Sequence, residues 1–239
     1  MRIGVVGTGG MAEALGGGWA AAGHEVMFGG RSPARAKALA ARVGGAARTG
    51  TPAEAAAFGA AVLLAVPYAA VLGVLADLGA ADGALRGRVL IDCVNPVATT
   101  AFTLATDDGG PSLARRIADA APGAHPVKAF TLCPADVWRA REGEAGGTSG
   151  ESGHESGGGA PHVPLCGDSD DALGVVGGLV RDLGGTPVVA GGLERAGLVE
   201  ATAAFAIGLY ASGNDPRLVF AAPDAAPPPQ AQPRTPVAG

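Results

Sequence analysis

The chain has 239 residues, a formal net charge of −5, and 48% hydrophobic but only 4% aromatic residues. This length suits one α/β domain or two small ones, and nothing resembles the basic face that binds nucleic acid. No apolar run approaches a membrane span, and the N-terminus resembles a strand more than a signal peptide. The three cysteines lie far apart in sequence, which predicts free thiols in a reducing compartment, and we expect a cytoplasmic protein.

The first thirty residues predict a dinucleotide-binding unit. A buried strand, a turn, a helix and a second strand are predicted at Ile3–Val6, Gly7–Gly10, Met11–Ala22 and Glu25–Phe28. Gly7 would permit the tight turn, and Gly9 would let the backbone approach a pyrophosphate facing the free amides of the helix. The predicted contacts are Gly7, Thr8, Gly9, Gly10 and Met11. The chain has 41 glycines, so a purely structural turn is the alternative, but the strand–turn–helix–strand context favours the dinucleotide.

The end of the second predicted strand indicates which dinucleotide binds. NAD sites usually place an Asp or Glu there for the ribose hydroxyls. Here Arg31 takes that place, followed by Ser32 and Arg35, and no carboxylate is near. Two guanidinium groups and a hydroxyl suit a phosphate dianion, so the sequence predicts NADP(H). The alternative is that both arginines are simply solvated residues at the start of a helix.

The alternation of strands and helices continues through the first half of the chain. Helices are predicted at Pro33–Val43, Thr51–Gly59 and Ala69–Leu78, and strands at Ala61–Val66 and Arg88–Cys93. This rhythm predicts an α/β fold: a Rossmann-type doubly wound, mainly parallel sheet with right-handed crossovers.

The second half of the chain is less regular. The predicted elements are a loop at Thr99–Pro111, helices at Ser112–Ala120, Ser169–Leu183 and Leu193–Tyr210, and strands at His125–Leu132, Val163–Cys166 and Thr186–Val189. The polar segment Glu142–Ala160 has no large apolar residue, which predicts a mobile insert. We expect three parts: an NADP-binding core at 1–124, an extension at 125–221 that contains the 142–160 insert, and a disordered Ala/Pro-rich tail at 222–239.

The chain contains an ordered series of short motifs: Gly7-Thr8-Gly9-Gly10 with Glu13-Ala14-Leu15, Gly23-His24-Glu25-Val26, Gly30-Arg31-Ser32-Pro33, Leu64-Ala65-Val66-Pro67, Asp92-Cys93-Val94-Asn95-Pro96, Val127-Lys128-Ala129-Phe130, Cys166-Gly167-Asp168, and Gly191-Gly192-Leu193-Glu194-Arg195-Ala196 through Glu200. In this series the chain resembles the NADPH-dependent reductases of the deazaflavin coenzyme F420, within the deazaflavin-dependent NADP oxidoreductases. The resemblance spans nearly the whole chain except the insert and the tail.

The resemblance implies that C-terminal segments, including a long capping helix, extend the sheet and wall a cleft. It also implies that nicotinamide and deazaflavin lie face to face there, so that a hydride passes directly between ring carbons. By position, Val66, Pro67 and Tyr68 would line the riboses, and Asn95, Pro96, Ala129 and Phe130 would border the nicotinamide. Gly192 and Leu193 would close the cleft from its far side.

The chain departs from the family pattern at three places. The family usually has Asn after the Lys-Ala-Phe motif, whereas Thr131 follows Phe130 here, and Gly30 replaces a usual Ser before the arginine. The insert at 142–160 is the third departure. The first change affects the cleft floor and therefore the identity of the second substrate.

No catalytic residue is predicted, because hydride transfer between two rings depends mainly on positioning. Lys128 could hold an anion or donate a proton, or it could be a structural lysine paired with a carboxylate. His24 is predicted to be a local hydrogen-bond residue and Cys133 an inert buried thiol, whereas His125 could contact the substrate. No metal site is predicted, since the spacing of His154, His162 and Cys166 matches no known ligand pattern.

The sequence thus predicts an enzyme that transfers a hydride between NADP(H) and coenzyme F420. One alternative is an NADPH-dependent reductase of another small molecule, such as an imine or enone, in a specialised biosynthetic pathway. The other is a non-catalytic NADP(H)-binding protein. We expect a small planar substrate as the partner, with no nucleic acid or membrane, and a homodimer is possible.

Overall fold

The structure is a computed structural model that describes residues 1–98, 100–106, 109–144 and 160–219. Most of the predicted insert and the whole predicted tail lie outside these residues. Within them, no helix is both long and apolar enough to cross a membrane.

Eight of the strands form one twisted sheet with helices on both faces. The strands are β1 (Arg2–Val6), β2 (Glu25–Gly29), β3 (Arg48–Gly50), β4 (Ala61–Leu64), β5 (Val89–Asp92), β6 (Val97–Ala98), β7 (Thr103–Leu104), β8 (His125–Lys128), β9 (His162–Gly167) and β10 (Thr186–Gly191). The sheet order is β10-β9-β8-β5-β4-β1-β2-β3, and β6 pairs with β7 separately. Strands β1 to β5 and β8 are mutually parallel, which confirms the predicted Rossmann-type fold.

The sheet extension runs in the opposite direction to this core. Strand β9 is antiparallel to β8, and β10 is parallel to β9. The segment between β8 and β9 is therefore not a right-handed crossover but a return along the same edge. The C-terminal sheet extension that the family resemblance implied is confirmed.

The helices largely follow the predicted ranges. They are α1 (Gly10–Ala21), α2 (Pro33–Val43), α3 (Pro52–Phe58), α4 (Val71–Asp77), α5 (Leu113–Ala120), α6 (Ala135–Glu144), α7 (Asp170–Asp182), α8 (Ala196–Ala211) and α9 (Pro216–Val219). The starts of α2, α3, α5 and α7 are fixed locally by side-chain caps. Ser32 and Ser169 accept hydrogen bonds from backbone N–H groups three residues on, and Thr51 and Glu54 form a reciprocal capping box.

Both faces of the central strands are buried, as expected for parallel strands between two helical layers. Successive side chains alternate between the layers: Leu63 packs with α1 and α7, and Leu64 packs with α4 and α5. Each such side chain contributes about 1.5–3 kcal/mol relative to an exposed one. A hydrogen bond of 2.9 Å from Trp19 Nε1 to the Leu179 carbonyl oxygen joins α1 to α7.

The structure differs from the sequence prediction after Lys128. The strand predicted to reach Leu132 ends at Lys128, because Phe130 adopts the left-handed region with φ of 61°. Its ring lies between the rings of Trp19 and Trp138, with centroid distances of 5.9 and 5.4 Å. Trp138 belongs to α6, a helix that the sequence pattern did not predict.

Two predicted irregular segments also contain secondary structure. Helix α6 continues to Glu144, into the segment predicted as an insert, and residues 145–159 lie outside the described part. The segment predicted as a loop from Thr99 holds the short strand β7, which pairs with β6.

Candidate functional site

In the glycine turn after β1, Gly7 is closely surrounded by other atoms, whereas Gly9 borders empty space. Gly7 has φ of 136°, and a Cβ there would lie 2.1 Å from the Ala65 carbonyl oxygen. Gly9 has no atom within 4 Å of its Cβ position. No side chain caps the N-terminus of α1. The turn therefore presents free amides and open space at the positive end of a helix, which suits an anion.

A cavity of about 440 Å³ lies against this turn, and we call it the glycine-turn cavity. Its lining includes eight of the predicted cofactor-binding residues: Gly7, Thr8, Gly9, Arg31, Ser32, Arg35, Val66 and Pro67. They come from the ends of three neighbouring strands, β1, β2 and β4. The parallel sheet thus brings together residues that are far apart in sequence, at the crevice where α/β folds bind ligands.

The charge of the glycine-turn cavity is positive. Arg31 and Arg35 are exposed, and neither forms an ion pair with another described residue. None of the described residues that line the cavity is acidic. Arg31 also borders an adjoining cavity of about 610 Å³.

The side chain of Thr8 explains why Gly30 stands where the family usually has Ser. A Cβ at Gly30 would lie 2.7 Å from Cγ2 of Thr8, which lines the same cavity. A serine at this position would therefore require the Thr8 side chain to move. The glycine belongs to the local packing of this turn.

A second cavity, of about 420 Å³, begins on the other side of the turn, at Met11. We call it the α8 cavity, because Ala203, Ala206, Ile207 and Tyr210 of α8 form one wall. The rest of its lining is Met11, Cys93, Asn95, Phe130, Thr131, Leu132, Cys133, Pro134, Ala135, Asp136 and Pro216. Three predicted residues lie here, Met11, Asn95 and Phe130, and the surface is chiefly apolar.

Asn95 is the most distinctive polar group of the α8 cavity. Its Nδ2 donates a hydrogen bond of 3.1 Å to the Thr131 carbonyl oxygen. Its Oδ1 is buried and has no hydrogen-bond partner among the described residues. An unpaired buried acceptor costs about 1–3 kcal/mol, so this oxygen is suited to an N–H group of a ligand.

Two cysteines line the same cavity, and both thiols are neutral at physiological pH. Burial, with a smaller contribution from the Asp92 carboxylate, raises the pKa of Cys93 to about 12. Burial raises the pKa of Cys133 to about 11. Because the thiolate is the reactive form, neither cysteine is suited to act as a nucleophile, in line with the inert thiol predicted for Cys133.

Lys128 is a structural lysine that pairs with buried carboxylates, one of the two roles considered for it from the sequence. Its ammonium is fully buried, donates to the Val94 carbonyl oxygen, and lies 3.0 Å from Asp92 Oδ2 and 3.3 Å from Glu200 Oε1. Glu200 in turn accepts hydrogen bonds of 3.0 Å from the N–H groups of Leu113 and Ala114, at the start of α5. Lys128 lines neither cavity, and it holds the segment that leads into Asn95.

Six of the predicted residues line neither cavity: Gly10, Tyr68, Pro96, Ala129, Gly192 and Leu193. Gly10 lies at the start of α1, beside the turn. Ala129 is fully buried beneath Phe130. Tyr68 lies in a 3₁₀ turn, with its hydroxyl 3.5 Å from the Ala105 carbonyl oxygen.

Gly192 and Leu193, which the resemblance places at the far side of the cleft, line neither of the two cavities. Because β9 and β10 run against the core strands, the chain that leaves β10 points away from the carboxyl edge where the cavities lie. Leu193 is buried, and its N–H donates a 2.7 Å hydrogen bond to Asp168 Oδ1. The Gly192 N–H donates to Glu194 Oε1.

The histidines lie outside both cavities wherever the structure describes them. His24 Nε2 lies 2.9 Å from Asp182 Oδ2, so its hydrogen bond joins distant parts of the chain and is not the local one predicted. His125 is exposed at the amino end of β8, away from the carboxyl edge, and does not contact the cleft. No group of three potential metal ligands is found among the described residues, and His154 lies outside them.

Comparison with known families bears on the first half of the chain. Residues 2–96 match the family described as NADP oxidoreductase, coenzyme F420-dependent. The matched segment runs from β1 through Asn95 and includes the whole glycine-turn cavity lining, which confirms the resemblance drawn from the motifs. No curated protein matches the chain.

Solved structures extend the likeness over the rest of the fold. A hypothetical protein of Sinorhizobium meliloti, SMa0349, is 26% identical with a TM-score of 0.66, over 81% of this chain and 85% of the other. A candidate F420-dependent NADP-reductase of Arthrobacter sp. FB24 is 23% identical with a TM-score of 0.66, over 90% and 96%. A Streptomyces aurantiacus imine reductase is 22% identical with a TM-score of 0.60, over 88% of this chain but 62% of its own length.

Proposed function

We propose that this protein transfers a hydride between NADP(H) and the coenzyme F420. The single observation that carries the proposal is the pair of cavities on either side of one glycine turn. The glycine-turn cavity has the open amides and free arginines that suit a phosphorylated dinucleotide. The α8 cavity beyond Met11 has the apolar walls that suit planar rings.

The residues of the glycine-turn cavity fit NADP(H) by their chemistry. Gly9 leaves room for the pyrophosphate at the start of α1, and Arg31 and Arg35 are free to pair with the phosphate on the adenosine ribose. Ser32 Oγ accepts from the Arg35 N–H, which fixes the start of α2 and so the position of both arginines. When bound, NADPH supplies the hydride.

The residues of the α8 cavity would orient the acceptor and exclude water. Phe130 and α8 provide apolar surface on opposite sides, and Asn95 Oδ1 offers one hydrogen-bond acceptor to fix a ring that carries an N–H group. Hydride transfer between rings needs no acid or base, which agrees with a lining whose described residues include a single ionisable carboxyl, Asp136.

The proposal is tested by mixing purified protein with NADPH and oxidised F420, without added metal or flavin, and following the visible absorbance of F420. We expect bleaching in proportion to enzyme. The Arg31→Ala variant should slow the reaction at limiting NADPH, whereas Lys37→Ala, which removes an exposed cation from the following helix α2, should not. Tight NADPH binding without any bleaching would overturn the F420 assignment.

The second candidate function is the NADPH-dependent reduction of a small imine or enone. One observation favours it: Thr131, on the wall of the α8 cavity, stands where the family usually has Asn. Oxidation of NADPH with a cyclic imine, in a preparation that does not bleach F420, would support this candidate. NADPH binding without turnover of either substrate would support the non-catalytic alternative.

A further inference from the structure

Two residues that pack against each other, Phe102 and Gly208, are each unfavourable for their own backbone. Phe102 has φ of 53°, in the left-handed region that glycine adopts readily and a phenylalanine does not. Gly208 lies inside the helix α8, where alanine is the more stabilising residue. Exchanging glycine and a side chain between the two positions would suit both backbones better, so the reason for the present arrangement lies in their contact.

Gly208 allows α8 to approach the hairpin of β6 and β7 very closely. A Cβ at Gly208 would lie 3.1 Å from Phe102 Cβ and 3.8 Å from the Phe102 carbonyl oxygen. The first distance is tighter than ordinary van der Waals contact, so even a methyl group at this position would push the helix or the hairpin aside. The spacing between α8 and the hairpin is therefore determined by one phenylalanine and one glycine.

The hairpin that carries Phe102 is tied to the segment of Asn95, which lines the α8 cavity. The Val97 N–H donates a hydrogen bond of 2.9 Å to the Asn95 carbonyl oxygen, and the Ala105 N–H donates one of 2.7 Å to the Pro96 carbonyl oxygen. Strand β7 packs against α8. The hairpin thus links the Asn95 side of the cavity to the helix that forms another wall.

Gly208 lies on the side of α8 that faces away from the cavity. The α8 residues that line the cavity recur at spacings of three and four and so share one helical face: Ala203, Ala206, Ile207 and Tyr210. At 3.6 residues per turn, Gly208 lies about 150° around the helix from the middle of that face. Phe102 therefore supports α8 from behind, and α8 in turn bounds the cavity.

We propose that Phe102 and Gly208 are positioning residues that set the width of the α8 cavity, and hence determine which acceptor ring fits beside NADP(H). The inference rests on the proposed function and deepens it for the same cavity. Without the Phe102 side chain, α8 is free to move outward, whereas a large side chain at Gly208 pushes α8 into the cavity. A gap of about half an ångström already removes roughly a quarter of the dispersion attraction between a wall and a ring.

The test is a calorimetric titration of oxidised F420 into the full chain saturated with NADP+. Phe102→Gly and Gly208→Leu should each weaken F420 by about fivefold or more, while the affinity for NADPH stays within about twofold. The double variant Phe102→Gly/Gly208→Leu should regain most of the F420 affinity, because the side chain that fills the contact then comes from the helix. Gly174→Leu, at an exposed α7 glycine with no atom within 4 Å of its Cβ position, is the matched control and should change neither affinity.

The outcomes separate this inference from the proposed function. Single variants that bind F420 as the wild type does, or that lose F420 and NADPH affinity equally, would refute the role in cavity width and leave NADP(H) binding in place. A double variant no better than the weaker single variant would refute it as well. If the wild-type chain binds a cyclic imine instead of F420, the same variants are titrated with that imine. If it binds neither, the proposed function fails and this inference fails with it.

Discussion

The ammonium of Lys128 lies 3.3 Å from the carboxylate of Glu200, and both side chains are fully buried. Asp92 lies on the other side of the same ammonium, at 3.0 Å. The three groups join β5, β8 and α8, and through the backbone bonds of Glu200 they also fix α5. Asn95 therefore follows a segment that is anchored by charge as well as by packing.

Replacing Lys128 with Met should lower the free energy of unfolding by about 3–5 kcal/mol, because two buried carboxylates would lose their cation. Urea denaturation measures the loss. Arg42→Ala breaks an exposed pair with Glu13 and should hardly change stability. The double variant Lys128→Met/Glu200→Gln should lose less than the sum of the single losses, and strict additivity would argue against a coupled network.

The two glycines of the turn should respond differently to alanine. Gly7→Ala would place a methyl 2.1 Å from a carbonyl oxygen in a backbone conformation that disfavours side chains, so we expect destabilisation of about 4 kcal/mol or more. Gly9→Ala meets no atom within 4 Å, so the melting temperature should be unchanged while NADPH affinity falls. Unchanged NADPH affinity in a folded Gly9→Ala variant would contradict the placement of the pyrophosphate.

Removing the unpaired oxygen of Asn95 should affect ligand binding more than folding. Asn95→Ala deletes an acceptor suited to a ligand N–H group, and we expect the catalytic efficiency kcat/KM to fall by about tenfold or more. Asn214→Ala, an exposed asparagine outside both cavities, serves as the control. A variant with lower stability but unaltered kinetics would show that Asn95 acts only through its bond to Thr131.

The stability of the protein should fall in alkaline solution because of Cys93. The folded thiol has a pKa of about 12, whereas an unfolded cysteine has one of about 8.5. The native state therefore keeps a proton that the unfolded state releases, so this stability is present below about pH 8.5 and is lost as the pH rises towards 12. By pH 10.5 the loss is about 2–3 kcal/mol from Cys93. Urea midpoints of Cys93→Ala should decline less steeply between these pH values than those of the wild-type protein.

The local features of the fold could be predicted from sequence because neighbouring residues determine them. The strand–turn–helix unit at Gly7, the cap at Ser32 and the capping box at Thr51 each depend on residues within a few positions of one another. The buried parallel strands followed from apolar runs that alternate with helices. The position of Arg31 could also be predicted, because it lies between the end of β2 and the start of α2, and both ends are recognisable in the sequence.

Only the tertiary structure decided which distant residues meet. Strand β9 runs antiparallel to β8, and no local pattern encodes the direction of a strand. Helix α6 has a weak apolar pattern and is positioned by Trp138 against Phe130, so Arg139 reaches Gly10 through contacts that only the folded chain provides. The sequence alone allowed Lys128 to be either an anion-binding residue or a structural one. The structural role is seen only in the folded protein, where Glu200 of α8 brings its carboxylate to the Lys128 ammonium.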